Sequence, residues 1–165
     1  MCATLNVFDS IPADLYTLVG DGLSAFNTAT IGIWDWQNLA VAVHSGNECL
    51  GGLVGFTAQG WLFVKWLWIV DGARGQGLGA AAMAEAEKAA IGRGCHAAWL
   101  DTFNPAAKRF YERVGYTLFG ELPDFPIRHT RYFLQKRLDP VDNQQVRMRA
   151  AESATNDENR SESLS

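Results

Sequence analysis

The stretch LWIVDGARGQGLGAAAMAEAEKAA, residues 67–90, decides how the rest of the chain is read. It continues an apolar run, Trp66 to Val70, long enough for a buried strand. Asp71-Gly72-Ala73 turns the chain. Arg74-Gly75-Gln76-Gly77-Leu78-Gly79-Ala80 then leads into an alanine-rich run with helical character. A strand, a glycine-rich turn and a helix N-terminus together make an anion site. The first helical turn has free N–H donors and a partial positive charge. Glycines let the backbone approach an anion with no Cβ in the way. A phosphate or pyrophosphate is the natural ligand of such a turn.

Upstream, residues 61–70 read as a third strand after two others, residues 39–43 and 50–57, joined by the turn Ser45-Gly46-Asn47-Glu48. Their short connections make this an antiparallel meander. Gly51, Gly52 and Gly55 mark a bulge or the close approach of a ligand. Before the meander, residues 5–8 are a short strand candidate. Ser10 reads as an N-cap for an amphipathic helix over residues 12–26, with Leu15, Leu18, Val19, Leu23 and Phe26 at helical spacing. Residues 27–37 read as irregular, and Trp34 and Trp36 there either line a site or cover the core edge.

Downstream, a helix over residues 77–91 stops at Gly92 and Gly94, and residues 95–103 form a strand. The crossover from strand 61–70 through this helix makes those two strands parallel. Asn104-Pro105 is an N-cap followed by Pro at the first helical position, with the helix ending before Gly115. Residues 116–120 and 130–138 are two more strands. The expected fold is α/β (α+β). It has a mixed, mostly antiparallel sheet of six to seven strands, one central parallel βαβ crossover and helices on both faces. Residues 1–138 make one domain, and residues 139–165 a polar tail expected to be disordered.

Composition bounds the function. A chain of 165 residues with 48% hydrophobic content suits one globular domain. No apolar run reaches membrane-spanning length and no secretory signal is visible, so a cytoplasmic protein with no membrane partner is expected. Cys2, Cys49 and Cys95 have no paired or metal-like spacing, which fits a reducing compartment and argues against a metal site. The net charge of −4 sits mainly in the tail, where six acids face three arginines. The body holds twelve acids against eleven Lys/Arg, too balanced for a broad nucleic-acid surface. A homodimer is compatible with the sequence.

The glycine turn has three readings from its own residues. Gly75-Gln76-Gly77-Leu78-Gly79-Ala80 satisfies the dinucleotide pattern, and Asp101 lies where a ribose-binding acid belongs. However, it follows a long antiparallel region and leads into a single βαβ crossover. A P-loop is excluded, because no Lys-Ser/Thr follows the glycines. A purely structural turn makes poor use of three alternating glycines.

Two motifs narrow the choice. Arg74-x-x-Gly77-x-Gly79 after an apolar strand resembles the acyl-CoA signature of the GNAT superfamily of N-acetyltransferases. Asn104-Pro105-Ala106-Ala107-Lys108-Arg109-Phe110-Tyr111-Glu112-Arg113-Val114-Gly115-Tyr116 resembles its second motif, with an asparagine, a tyrosine-bearing helix and a closing Gly-aromatic pair. The resemblance covers residues 3–138. It implies acetyl-CoA between strands that splay apart after a bulge. The pyrophosphate lies on backbone N–H groups of Arg74, Gly75, Gln76, Gly77, Leu78, Gly79 and Ala80. The pantetheine arm pairs with Leu67 and Ile69 and bonds Asn104. Tyr111 is the implied general acid, since a positioned phenol can protonate a departing thiolate.

A base is also needed, because an amine of pKa about 10.4 is almost wholly charged at neutral pH. The strand 61–70 contains no acid. Asp35, Asp101, Glu121, Asp124 and His129 are available, and the sequence does not choose among them. The resulting expectation is an acetyl-CoA-dependent acyltransferase acting on a small-molecule amine. A protein amino group stays open as the acceptor. A non-catalytic acyl-CoA-binding module is the alternative, and a dinucleotide oxidoreductase the distant one.

Overall fold

Alternating apolar residues from Gln37 onward build one six-stranded sheet, ordered β1-β2-β3-β4-β6-β5, in the computed structural model, which describes residues 3–138. The strands are β1 (Gln37–Ser45), β2 (Glu48–Ala58), β3 (Trp61–Ile69), β4 (Ala97–Thr102), β5 (Thr117–Pro123) and β6 (Thr130–Arg137). Among the described residues three α-helices accompany them: α1 (Ala13–Ile31), α2 (Leu78–Gly92) and α3 (Pro105–Arg113). Only β3 and β4 pair in parallel, as the crossover through α2 requires. Every other pairing is antiparallel. The expected tail at residues 139–165 lies outside the described residues.

The chain divides into two units, Met1–Asp35 and Trp36–Ser165. In the first, α1 starts later and runs further than its apolar spacing suggests. Pro12, not Ser10, is its N-cap, with no side-chain hydrogen bond. The helix continues to Ile31 because nothing in residues 27–31 breaks it, and it stops at Gly32 with φ +90°. It buries none of its residues. Residues 5–8 form no strand, and Leu5 and Val7 are fully solvated. Four residues of β pattern have no ladder to join there, and propensity alone does not make a strand.

The second unit holds the core. Leu53, Leu62, Val64, Leu100 and Leu134 point from the sheet onto Ala82, Met83, Ala86 and Ala90 of α2, with Tyr111 of α3 in the same cluster. The alanines keep α2 close to the sheet, as their small volume permits. Arg93, the residue capping α2, donates to the Asn38 carbonyl at 3.1 Å and to the buried Thr57 Oγ1 at 3.2 Å, fixing the helix end against β1 and β2. On the other face, aromatic rings run in contact from Trp36, just before β1, across three strands: Trp36 on Phe56 of β2, Phe56 on Phe63 of β3, Phe63 on Trp99 of β4. Trp36 thus covers sheet, and its Nε1 donates to Asn38 Oδ1 at 3.1 Å.

The glycines of β2 answer to strand packing. A Cβ at Gly51 or Gly55 would run into a carbonyl of β3, Trp68 or Phe63 respectively, and one at Gly52 into the Val41 carbonyl of β1. The register shifts between Val54 and Gly55, where Lys65 of β3 is the extra residue. This bulge turns β3 away from β4.

Candidate active site

The site begins where β3 and β4 part. Their last paired residues are Val64 and Leu100. Beyond the bulge β3 stays with β2 to Ile69, while β4 stays with β6 to Thr102. Val70 N–H bonds the Leu50 carbonyl of β2 at 2.9 Å. By alternation, Leu67 and Ile69 aim their backbone groups at the vacated β4 side. A gap in the middle of a sheet, with an unpaired strand edge along one wall, is the result.

The wall leads into the glycine turn. A 3₁₀ turn, Asp71–Ala73, precedes Arg74, and Gly75 and Gly77 take φ +77° and +80°. Only glycine enters that region without strain. Gly77 caps α2, and Gly77, Leu78, Gly79 and Ala80, at the helix start where backbone N–H groups lack an intrahelical acceptor, line the cleft. Gly79 is different. A Cβ there would sit 3.4 Å from the Phe110 ring, so this glycine lets α3 lie close over the start of α2.

The far wall is α3. Asn104 Oδ1 accepts from Ala106 N–H at 2.9 Å and Ala107 N–H at 3.4 Å, which makes it the N-cap. Its oxygen is thus committed to the helix, leaving its amide N–H₂ as the group that can meet a ligand. Along α3, Ala107, Phe110, Tyr111 and Val114 follow at helical spacing and line a cleft of about 700 Å³. Of the residues read from the sequence, Leu67, Ile69, Arg74, Gly75, Gly77, Leu78, Gly79, Ala80, Asn104 and Tyr111 all line this same cleft. Gln76 does not; its side chain turns back to the Gly72 carbonyl at 3.4 Å.

Arg74 is held on three sides. Its Nε donates to the Ile69 carbonyl at 2.8 Å, its Nη1 pairs with Asp71 at 2.7 Å, and its guanidinium lies 4.2 Å from the Trp68 ring centroid. The Ile69 carbonyl is therefore already satisfied. Leu67 and the Ile69 N–H remain as the open edge.

Tyr111 is buried, and its pKa is pushed up to about 12, first by burial and then by the nearby Asp101 carboxylate. It is a neutral hydrogen-bond donor at any physiological pH. Asp101 lies one residue past the point where β4 leaves β3, and Arg131 of β6 pairs with it at 2.6 Å. The guanidinium sits 5.3 Å from the Phe125 ring centroid. Behind Tyr111, the Tyr116 hydroxyl and Glu87 Oε1 are buried and neither makes a hydrogen bond of good geometry among the described residues, although the Glu87 carboxylate lies close enough to act on the phenol, while Glu87 Oε2 pairs with Lys136 at 2.6 Å. Burial first, and then the charge and hydrogen-bonding pull of Glu87, raise the Tyr116 pKa strongly.

Sequence reading missed Trp68 and Ala73 on the β3 side and Ala107, Phe110, Arg113 and Val114 on α3 as cleft residues. On α3 the signal was present in the three- and four-residue spacing from Ala107. The Asp101–Arg131 pair had no local signal, since its partners come from β4 and β6.

Comparison with known proteins bears on the same residues. The model of the family described as Acetyltransferase (GNAT) family matches residues 15–116. The chain belongs to the GNAT family of acetyltransferases. It is thus an N-acetyltransferase, and the GNAT architecture accounts for the parted strands and the glycine turn. An acetyltransferase of Agrobacterium fabrum is 39% identical over 130 residues, covering 78% of this chain and 95% of that protein. The blasticidin-S acetyltransferase of Streptomyces morookaense is 44% identical over 92 residues, 55% of this chain and 68% of that protein. Among solved structures, an acetyltransferase from Agrobacterium tumefaciens superposes with a TM-score of 0.72 at 38% identity, over 82% of this chain and 99% of the other.

Proposed function

We propose that the protein transfers the acetyl group of acetyl-CoA to a primary amine of a small molecule, by direct attack in a ternary complex. The observation that carries this reading is the cleft itself. An unpaired strand edge at Leu67 and Ile69 runs into a glycine turn at a helix N-terminus. An edge offers amide pairing to an extended chain such as pantetheine, and the turn offers backbone N–H groups to a diphosphate. The Asn104 amide can donate to a pantetheine carbonyl.

In the reaction the amine nitrogen bonds the thioester carbonyl carbon, the C–S bond breaks to release the coenzyme A thiolate, and the amine passes its proton to water, since no carboxylate or histidine among the described residues lines the cleft. Tyr111 donates a hydrogen bond to the departing sulfur. With its pKa near 12 against about 8.5 for a thiol, it stabilises the thiolate more than it surrenders its proton. The small-molecule acceptor is supported by the near-neutral body and by the relative named for blasticidin S, 44% identical over the matched region.

The test is thiol release from acetyl-CoA against blasticidin S and a panel of simple amines and amine antibiotics, with Tyr111→Phe as control. Amine-dependent release that falls about 10²-fold in Tyr111→Phe supports the reading. Tight acetyl-CoA binding with no release on any amine would favour a binding module instead.

A further inference from the structure

The cleft carries charge that the glycine turn does not account for. Among the described residues two cationic side chains line it, Arg74 and Arg113, and no carboxylate does. Their situations differ. Arg74 is occupied by Asp71, the Ile69 carbonyl and Trp68. Arg113 is exposed in the last turn of α3, and no described residue gives it an ion pair or hydrogen bond. Its neighbour Glu112 is engaged with Lys108 at 3.0 Å.

Position adds to this. The Phe110 ring meets Gly79 at the start of α2. Arg113 lies three residues further along α3, about 4.5 Å of axial rise. The cleft continues with it, since Val114 also lines the wall. Arg113 therefore stands beyond the Phe110–Gly79 contact, at the end of α3 away from Asn104.

We propose that Arg113 is the recognition site for a phosphomonoester, the 3′-phosphate of coenzyme A. The inference rests on the acyl-CoA reading above and extends it to a second anion. Coenzyme A carries two separate phosphate groups, a diphosphate and a ribose 3′-phosphate. The backbone N–H groups at Gly77 suit the first. The second carries a charge near −2 at neutral pH and needs a cation. A guanidinium with no partner among the described residues, in a cleft that no described carboxylate lines, meets that need without breaking an ion pair seen there.

Calorimetric titration of the full-length protein with coenzyme A and with 3′-dephospho-coenzyme A tests it. Wild type should bind coenzyme A about tenfold more tightly, the worth of one charge-assisted hydrogen bond. Arg113→Gln should lose that preference while holding 3′-dephospho-coenzyme A within twofold of wild type. Arg113→Lys should keep most of it. An unchanged preference in Arg113→Gln, or equal binding of both compounds by wild type, would overturn the assignment. Failure of wild type to bind either compound would remove the acyl-CoA reading, and this inference with it. Arg113 is exposed and has no partner among the described residues, so an unchanged melting temperature serves as the folding control.

Discussion

Arg131 Nε donates to Asp101 Oδ2 at 2.6 Å, one residue beyond the last pairing of β3 with β4. The pair ties β6 to β4 where β4 has lost its other neighbour. It also sets a carboxylate near enough to Tyr111 to raise the phenol's pKa. Asp101→Asn removes that charge. The Tyr111 pKa should fall from about 12, yet stay above 10 because burial is the larger cause. Alkaline difference absorbance, with Tyr111→Phe to identify the transition, reads the shift. An unchanged or higher value would mean that Asp101 does not act on Tyr111.

Tyr111 remains protonated across the working range, so it sets no alkaline limb of activity below about pH 11. The raised pKa also bears on stability. For a tyrosine whose folded pKa lies above the ordinary value near 10, the folded state holds the proton more tightly than the unfolded chain. Its contribution is full below pH 10 and is lost as pH rises toward 12. Tyr116 shifts in the same direction and adds to the loss. Urea titrations at a series of pH values should show stability level to about pH 10 and falling above it, less steeply in Tyr111→Phe.

Gly77→Ala places a Cβ at φ +80°. Space is open there, so the cost is backbone strain of about 1–2 kcal/mol. Relief by rotation would turn the first N–H groups of α2 away from the cleft. Acetyl-CoA affinity should drop about tenfold or more, with a smaller change in melting temperature than a core truncation gives. Titration calorimetry and thermal unfolding separate the two. Retained affinity would show that the turn holds no anion.

Glu87 of α2 and Lys136 of β6 are largely buried, paired at 2.6 Å, with Lys136 also donating to the Val114 carbonyl at 2.9 Å. Removing one partner strands a charge. Glu87→Ala or Lys136→Ala should each cost about 3–5 kcal/mol, whereas the apolar double replacement Glu87→Leu with Lys136→Met should cost far less than the sum. Denaturant unfolding of the three variants gives the comparison, and strict additivity would mean that the pair is not coupled.

Much of the fold was legible because it rests on local signals. The turn at Ser45–Glu48, the glycines before α2 and the Asn104-Pro105 start each fix one connection, and the crossover rule then orients β3 and β4. The first unit was read less well. Ser10 looked like a cap, but Pro12 took the position, and residues 5–8 had β pattern without a neighbouring strand. In the site, the turn and Tyr111 came from motif spacing. Asp101 with Arg131 did not, because β4 and β6 meet only after the sheet is assembled. Nor does any sequence pattern say that Arg74 is already engaged while Arg113 is not.

The clasp on Arg74 has a kinetic meaning. Asp71, the Ile69 carbonyl and Trp68 hold its guanidinium, and with it the chain between β3 and Gly75. The turn is therefore shaped before any ligand arrives, and the entropy of ordering it is charged to folding rather than to association. A cosubstrate meeting a preformed cradle need not wait for a loop to close, so encounter proceeds at the pace of diffusion and orientation. Loosening the clasp, by Asp71→Ala for instance, would slow capture more than it would hasten escape.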